Sequence, residues 1–242
     1  MAARNMASPT RRTLDRILRL LRNRYGPRPP RIWGDGVGVL VETILSQNTS
    51  DKNSAAGYRQ LRRRFRSWNQ VADAPVDEVE RHIRVAGLSN QKAPRIQSIL
   101  RQIRQRHGKI DLQFLATMDD DAAFDYLMRF NGVGPKTASC TLLFAFGKQL
   151  FPVDTHIHRI ARRLELIPPK ATAEQAHDLL KPLIAPKDRY ETHVLLIEHG
   201  RRTCKAINPR CEDCVLRKMC PMGTARIRTK RTGSGITSPT AE

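Results

Sequence analysis

Apolar residues recur along this chain at spacings of three and four, and no stretch shows the strict alternation of a half-buried strand. Over residues 13–25, Leu14, Ile17, Leu18 and Leu21 form one stripe while arginines fill the opposite face, which predicts a helix docked along one side. Gly26-Pro27-Arg28-Pro29-Pro30 breaks that pattern and reads as a linker. From Gly36 to Thr49 a nearly uncharged run predicts a helix buried on most sides, with Glu42 as its lone carboxylate. An arginine-rich helix follows from Asp51 to about Phe65, and another from Pro75-Val76-Asp77-Glu78 to near Gly87. A turn at Leu88-Ser89-Asn90 leads into a long helix, Gln91 to His107, with Ile96, Ile99, Leu100 and Ile103 inward. A short segment from Leu112 to Met118 precedes a helix from Asp120 to Phe130, and further helices are predicted at 155–166, 173–184 and 188–202. Helices joined by short turns predict an all-α fold.

Charge narrows the function classes. The 242 residues carry 43 Lys and Arg against 23 Asp and Glu, a net charge of +20 and a pI near 10.7. So large an excess suits a polyanion, and nucleic acid is the first candidate. An acidic membrane surface is set aside because no basic amphipathic anchor is flanked by Trp. No apolar run approaches the roughly 20 residues that span a bilayer. No export signal is evident, so the expected location is cytoplasmic, nucleoid-associated in a prokaryote. The segment from Met222 to Glu242, rich in Thr, Ser and Gly with Arg226, Arg228, Lys230 and Arg231, is expected to be a disordered basic tail.

The stretch from Phe130 to Asp154 carries the clearest chemistry. Gly132 and Gly134 form a turn that permits positive φ and close backbone approach, so amide N–H groups can face a phosphate. Pro135 suits a first helical position, Lys136 follows it, and an apolar helix runs to Phe146 with Gly147 as its stop. An ammonium in a first helical turn meets the positive end of the macrodipole, which favours the neutral, nucleophilic amine. The plainer reading of Lys136 is a phosphate contact. Asp154 looks like the cap of the next helix, a place that keeps a carboxylate ionised and able to stabilise an oxocarbenium-like sugar cation.

Four of five cysteines, Cys204, Cys211, Cys214 and Cys220, fall at the spacing C-x6-C-x2-C-x5-C. Four thiolates suit tetrahedral zinc or a 4Fe–4S cluster; a single C-x2-C pair leans toward iron–sulfur. The intervening loop carries Lys205 and Arg210, so it would project positive charge. Cys140, in an apolar helix, reads as a core thiol. Gln47 and Asn48, at the end of the uncharged helix, offer amides able to bond base edges.

Together, N-G-V-G-P-K-T-A, the V-D-T-H whose aspartate stands eighteen residues after Lys136, and the cysteine spacing resemble the endonuclease III family of helix-hairpin-helix DNA glycosylases. The resemblance covers about residues 10–222. It implies two helical domains with the active site in the cleft between them. A six-helix barrel with the hairpin would occupy 31–147, and a 4Fe–4S cluster domain 10–30 plus 148–221. Residues 1–9 and 222–242 would be disordered.

By the same resemblance, a monomer flips a damaged pyrimidine out of double-stranded DNA. Lys136 attacks C1′ to form a Schiff base, and β-elimination cuts 3′ to the abasic site. Asp154 stabilises positive charge. Leu88, in G-L-S-N-Q-K-A, would wedge into the gap, and Asn48 or the adjacent Gln47 would fill the space opposite the lesion. His156 would line the site. Asn131 stands where the family carries proline, and Ser89 where it carries an aromatic. Glu42 matches the catalytic glutamate of the related adenine-specific mismatch glycosylases, which leaves open a monofunctional enzyme using Glu42 and Asp154. A non-catalytic iron–sulfur DNA-binding protein on this scaffold need not keep both Lys136 and Asp154.

Overall fold

The computed structural model describes residues 10–232, with side chains as far as Arg226. Every regular element among them is a helix, as the spacing of apolar residues predicts. Contacts divide them into two compact units. One comprises the described residues up to Pro29 together with those from Val153 onward; the other is Pro30–Pro152. The disorder expected of residues 1–9 and 233–242 lies outside the described residues.

The unit Pro30–Pro152 is built around α2 (Gly36–Leu45), which lies against α8 (Pro135–Phe146). The Asp35 side chain accepts the Gly38 N–H at 2.8 Å and so fixes where α2 begins. Around this pair stand α3 (Asp51–Arg64), α4 (Trp68–Asp73), α5 (Val76–Ile83), α6 (Ser89–His107) and α7 (Asp120–Met128). Leu40, Ile44, Leu61, Ile83, Ile96, Leu100, Leu127 and Leu142 meet in a core closed to solvent. Each such side chain contributes roughly 1.5–3 kcal/mol by leaving water.

Seven α-helices form this unit among the described residues, one more than the barrel expected. The addition is α4, whose start is fixed by a capping box between Ser67 and Gln70. Its six residues are too few to show a period. Two other boundaries differ from expectation. Helix α2 stops at Leu45 rather than Thr49, because Asn48 takes a left-handed backbone at φ 53°. Helix α6 begins at Ser89, leaving Leu88 alone as the turn residue at φ 50°.

In the other unit, α1 (Arg11–Tyr25) and α9 (Thr155–Arg163) both pack on α11 (Arg189–Arg202), with α10 (Ala173–Leu180) beside α9. Leu14, Ile17, Leu18 and Leu21 bury the stripe read from the sequence. Arg22 Nε donates to Glu191 at 2.8 Å and Arg28 to Glu198 at 2.8 Å, so the linker after α1 is held against α11. The tail departs from expectation over its first part: Pro221–Thr232 is helix α12. Pro221 supplies a preformed first position, and the Gly223 N–H donates to the Cys220 sulfur at 3.3 Å, capping a start the Thr- and Gly-rich composition conceals.

Candidate active-site residues

The hairpin before α8 closes by a Val133 N–H bond to the Phe130 carbonyl at 3.0 Å, with Gly132 at φ 80°. Two constraints require glycine there. The backbone is left-handed, and an added Cβ would collide with the Arg95 guanidinium. Arg95 Nη1 donates to Gln47 Oε1 at 3.2 Å, and Gln47 Nε2 donates both to the Gly132 carbonyl at 3.1 Å and to Thr137 Oγ1 at 3.2 Å. Gln47 thus spends its whole amide on bracing the hairpin. Gly134 caps α8 in an extended conformation and Pro135 occupies the first position. Lys136 follows half-buried, and within its own unit no described residue accepts a hydrogen bond from its Nζ.

Three other predicted residues of this unit lie on its loops and α2. Asn48 is exposed at its left-handed position. Leu88 leaves 43 % of its surface open and follows Gly87 at φ 69°. Glu42 is half-buried with no hydrogen-bond partner among the described residues, and burial pushes its pKa above the ordinary 4.5. A carboxyl so placed holds its proton more readily than an exposed one.

In the unit that resumes at Val153, Asp154 is the N-cap of α9, as its sequence position predicts: Oδ1 accepts the Ile157 N–H at 2.8 Å. That bond fixes the orientation of the carboxyl group at the start of α9. His156, half-buried, accepts through Nδ1 from Arg159 Nη2 at 2.9 Å, and its ring packs where Gly200 has no Cβ. Arg159 also donates to the Gly200 carbonyl at 3.0 Å and to the Cys204 carbonyl at 3.0 Å. One guanidinium therefore ties the Asp154 helix to the first cysteine.

The cysteine segment itself has little regular structure between Cys204 and Pro221, only a 3-10 turn at Arg217–Met219. Burial pushes the Cys214 thiol up to about 11, and Cys204, Cys220 and Cys211 lie close enough to add to the shift. Nitrogen atoms approach three of the sulfurs. Arg163 Nη1 donates to Cys204 at 3.2 Å, the Gly223 amide to Cys220 at 3.3 Å, and His199 Nε2 stands 3.5 Å from Cys214. The opposite ring nitrogen of His199 meets the Tyr25 hydroxyl at 2.9 Å. Burial makes the Cys214 and Cys220 thiols unfavourable to ionise alone, and with cationic and N–H groups aimed at three of the sulfurs the set fits a thiolate-held metal unit. Among the described residues no three His, Cys, Asp or Glu side chains converge on a single ion-sized centre. Lys205 and Arg210 are both exposed on the loop, as expected. Cys140 is buried in α8.

Three residues escaped the sequence reading: Arg95, His199 and Lys92. Lys92 lies on the apolar stripe of α6 with Ile96, Ile99 and Ile103, and His199 continues that of Leu195 and Leu196 in α11. A polar residue in a buried stripe is the signal that marks both.

The family model that describes HhH-GPD superfamily base excision DNA repair proteins matches residues 41–186. Endonuclease III of Thermotoga maritima is 34 % identical over 204 residues, covering 81 % of this chain and 91 % of that protein. A protein of Arabidopsis thaliana named as a putative DNA glycosylase is 35 % identical over 162 residues, 67 % of this chain; the chain spans 55 % of that longer relative. A solved non-covalent endonuclease III–DNA complex superposes with a TM-score of 0.79 at 26 % identity, covering 91 % of this chain and 99 % of the other.

Proposed function

The chain belongs to the HhH-GPD superfamily of base excision DNA repair proteins and, within it, to the endonuclease III family of DNA glycosylase/AP lyases, and from that premise we propose that it removes oxidised pyrimidines with Lys136 as nucleophile. The observation that best supports this reading is the placement of Lys136 at the second position of a helix behind a braced glycine hairpin. The positive end of α8 and the hairpin amides suit a DNA phosphate, which would bring the sugar beside the amine.

Each residue has a part in the reaction. DNA binding flips the damaged nucleotide at a cost of a few kcal/mol, and exposed Leu88 occupies the vacated stack. Asn48 faces the orphaned partner base, whereas Gln47 holds the hairpin. The Lys136 amine attacks C1′, the N-glycosidic bond breaks, and the base leaves with its electron pair and takes up the proton that the amine releases. The Asp154 carboxylate stabilises the sugar cation as it forms and carries that proton from amine to base. Ring opening gives the Schiff base. Loss of a C2′ proton then expels the 3′ phosphate by β-elimination. His156 positions the Asp154 helix through Arg159, and Lys205 and Arg210 contact the DNA backbone as a monomer binds.

Cys204, Cys211, Cys214 and Cys220 would hold a 4Fe–4S cluster, a reading supported by their spacing and by the nitrogens directed at three of the sulfurs. Its contribution is to fold the cysteine loop and present the loop's cations.

A second reading rests on Glu42. Its partnerless, half-buried carboxyl with a raised pKa suits a general acid that protonates a leaving base, as in a monofunctional mismatch glycosylase. A panel of duplexes, each with one oxidised pyrimidine or one mismatch, separates the two when assayed with and without alkali. Strand cleavage without alkali on oxidised pyrimidines supports the first reading; base release that needs alkali to cut the strand, on mismatches alone, replaces it with the second.

A further inference from the structure

We propose that Lys92 is a positioning residue whose buried ammonium sets two DNA-facing loops at once, the one carrying Asn48 and the one carrying Leu88. The inference rests on the reading of Leu88 as the wedge.

Lys92 is among the most deeply buried side chains of the protein, 1 % exposed, and an unpaired lysine in that position is costly. None of its hydrogen bonds reaches a carboxylate. Nζ donates to the Leu45 carbonyl at 2.7 Å and to the Ala86 carbonyl at 2.9 Å. Both acceptors end a helix: Leu45 is the last residue of α2, and Ala86 the last of the 3-10 turn Arg84–Ala86. Terminal carbonyls lack partners within their own helix and carry the negative end of its dipole, so a cation is the natural group to satisfy two of them together.

The residues just past these two carbonyls give the arrangement its meaning. Asn48 lies three residues past Leu45 and Leu88 two residues past Ala86, and both have left-handed backbones, at φ 53° and 50°. Asparagine adopts this conformation readily, whereas a bulky leucine does so rarely and only where the surroundings impose it. The Lys92 N–H donates to the Leu88 carbonyl at 2.9 Å as a backbone bond of the first turn of α6, so the lysine stands one turn inside the helix that Leu88 caps. Its ammonium, bonded to the Ala86 and Leu45 carbonyls, registers the Leu88 turn to the end of α2.

A hydrophobic residue of the same length would fill this space but leave the Leu45 and Ala86 carbonyls without this donor, and with it the link between the two loops would be lost. Burial also draws the Lys92 pKa below its usual value, with Arg95 adding to the effect.

A double-mutant cycle tests this on single-turnover base release from a duplex containing thymine glycol. Lys92→Met removes the ammonium at constant bulk, and Leu88→Ala removes the wedge. Each is expected to slow release tenfold or more, and the double variant to be no slower than the slower single one, because Lys92 acts through Leu88. Rate losses that multiply in the double variant overturn the proposal and leave the wedge reading intact. An unslowed Leu88→Ala removes the wedge reading and the proposal with it. Should Lys92→Met lose native circular dichroism, Lys92→Gln replaces it in the cycle; loss of the native spectrum in both overturns the proposal, since the lysine would then hold the whole unit and not two loops.

Discussion

Gln47 Nε2 donates to the carbonyl oxygen of Gly132 at 3.1 Å, joining the loop after α2 to the hairpin in front of Lys136. The bond makes hairpin geometry depend on a residue 85 positions earlier. Gln47→Ala leaves the Arg95 guanidinium and the Gly132 carbonyl short of a partner, and should cost about 1–3 kcal/mol of stability. Urea unfolding checks the loss. Binding to abasic-site duplex should weaken in parallel, as the hairpin amides lose their placement.

Asp154 combines two contributions that one substitution separates. Asparagine caps a helix about as well as aspartate, so Asp154→Asn should keep stability within about 0.5 kcal/mol of the native protein. It removes the negative charge, and base release should fall by roughly two orders of magnitude. Asp154→Ala should lose both, with about 1 kcal/mol of stability gone. Thermal melts beside single-turnover assays distinguish the effects; full activity in Asp154→Asn contradicts the electrostatic role.

Glu42 gives a pH dependence with a definite sign. Its folded pKa is raised above 4.5 by burial, so the folded protein holds this proton more tightly than the unfolded chain. Below about 4.5 both states are protonated and the burial costs nothing extra. As pH rises through the window above 4.5, the unfolded state releases its proton first and the residue becomes destabilising. Glu42→Gln should therefore melt higher than the native protein at about pH 8, with the gain shrinking as pH falls to about 4. Equal melting shifts at both pH values contradict this.

The cysteine set predicts a metal content. Protein purified without oxygen should contain iron and inorganic sulfide in equal amounts, about four each, with the broad visible absorption of a cluster. Cys214→Ser should lose most of both. Zinc in place of iron overturns the cofactor assignment while leaving the thiol site in place.

The hairpin, the start of α8 and the Asp154 cap were legible because each is a local device: a glycine turn, a proline at a first position, a carboxylate three residues before the N–H it accepts. The apolar stripes of α1 and α6 were legible for the same reason. What escaped depends on partners distant in sequence. Nothing near Lys92 reveals that its acceptors lie at Leu45, 47 residues away, and at Ala86. Nothing near Gln47 shows that its amide is committed to Gly132 and Thr137, so adjacency to Asn48 suggested a shared DNA role. The left-handed turns at Asn48 and Leu88 were hidden because neither is glycine, and helical periodicity carried one predicted element past its end and started the other late. Helix α12 was missed because its cap is a thiol sulfur, which no composition rule counts.

The central claim is that Lys136 forms a covalent bond to the sugar, and borohydride trapping on abasic-site DNA measures that bond directly. Reduction of a mixture of the protein and duplex should yield one protein–DNA adduct stable to denaturation, with the link mapped to Lys136 by mass spectrometry and absent in Lys136→Ala. An undiminished adduct in Lys136→Ala, or none with the native protein on DNA that it binds, contradicts the account.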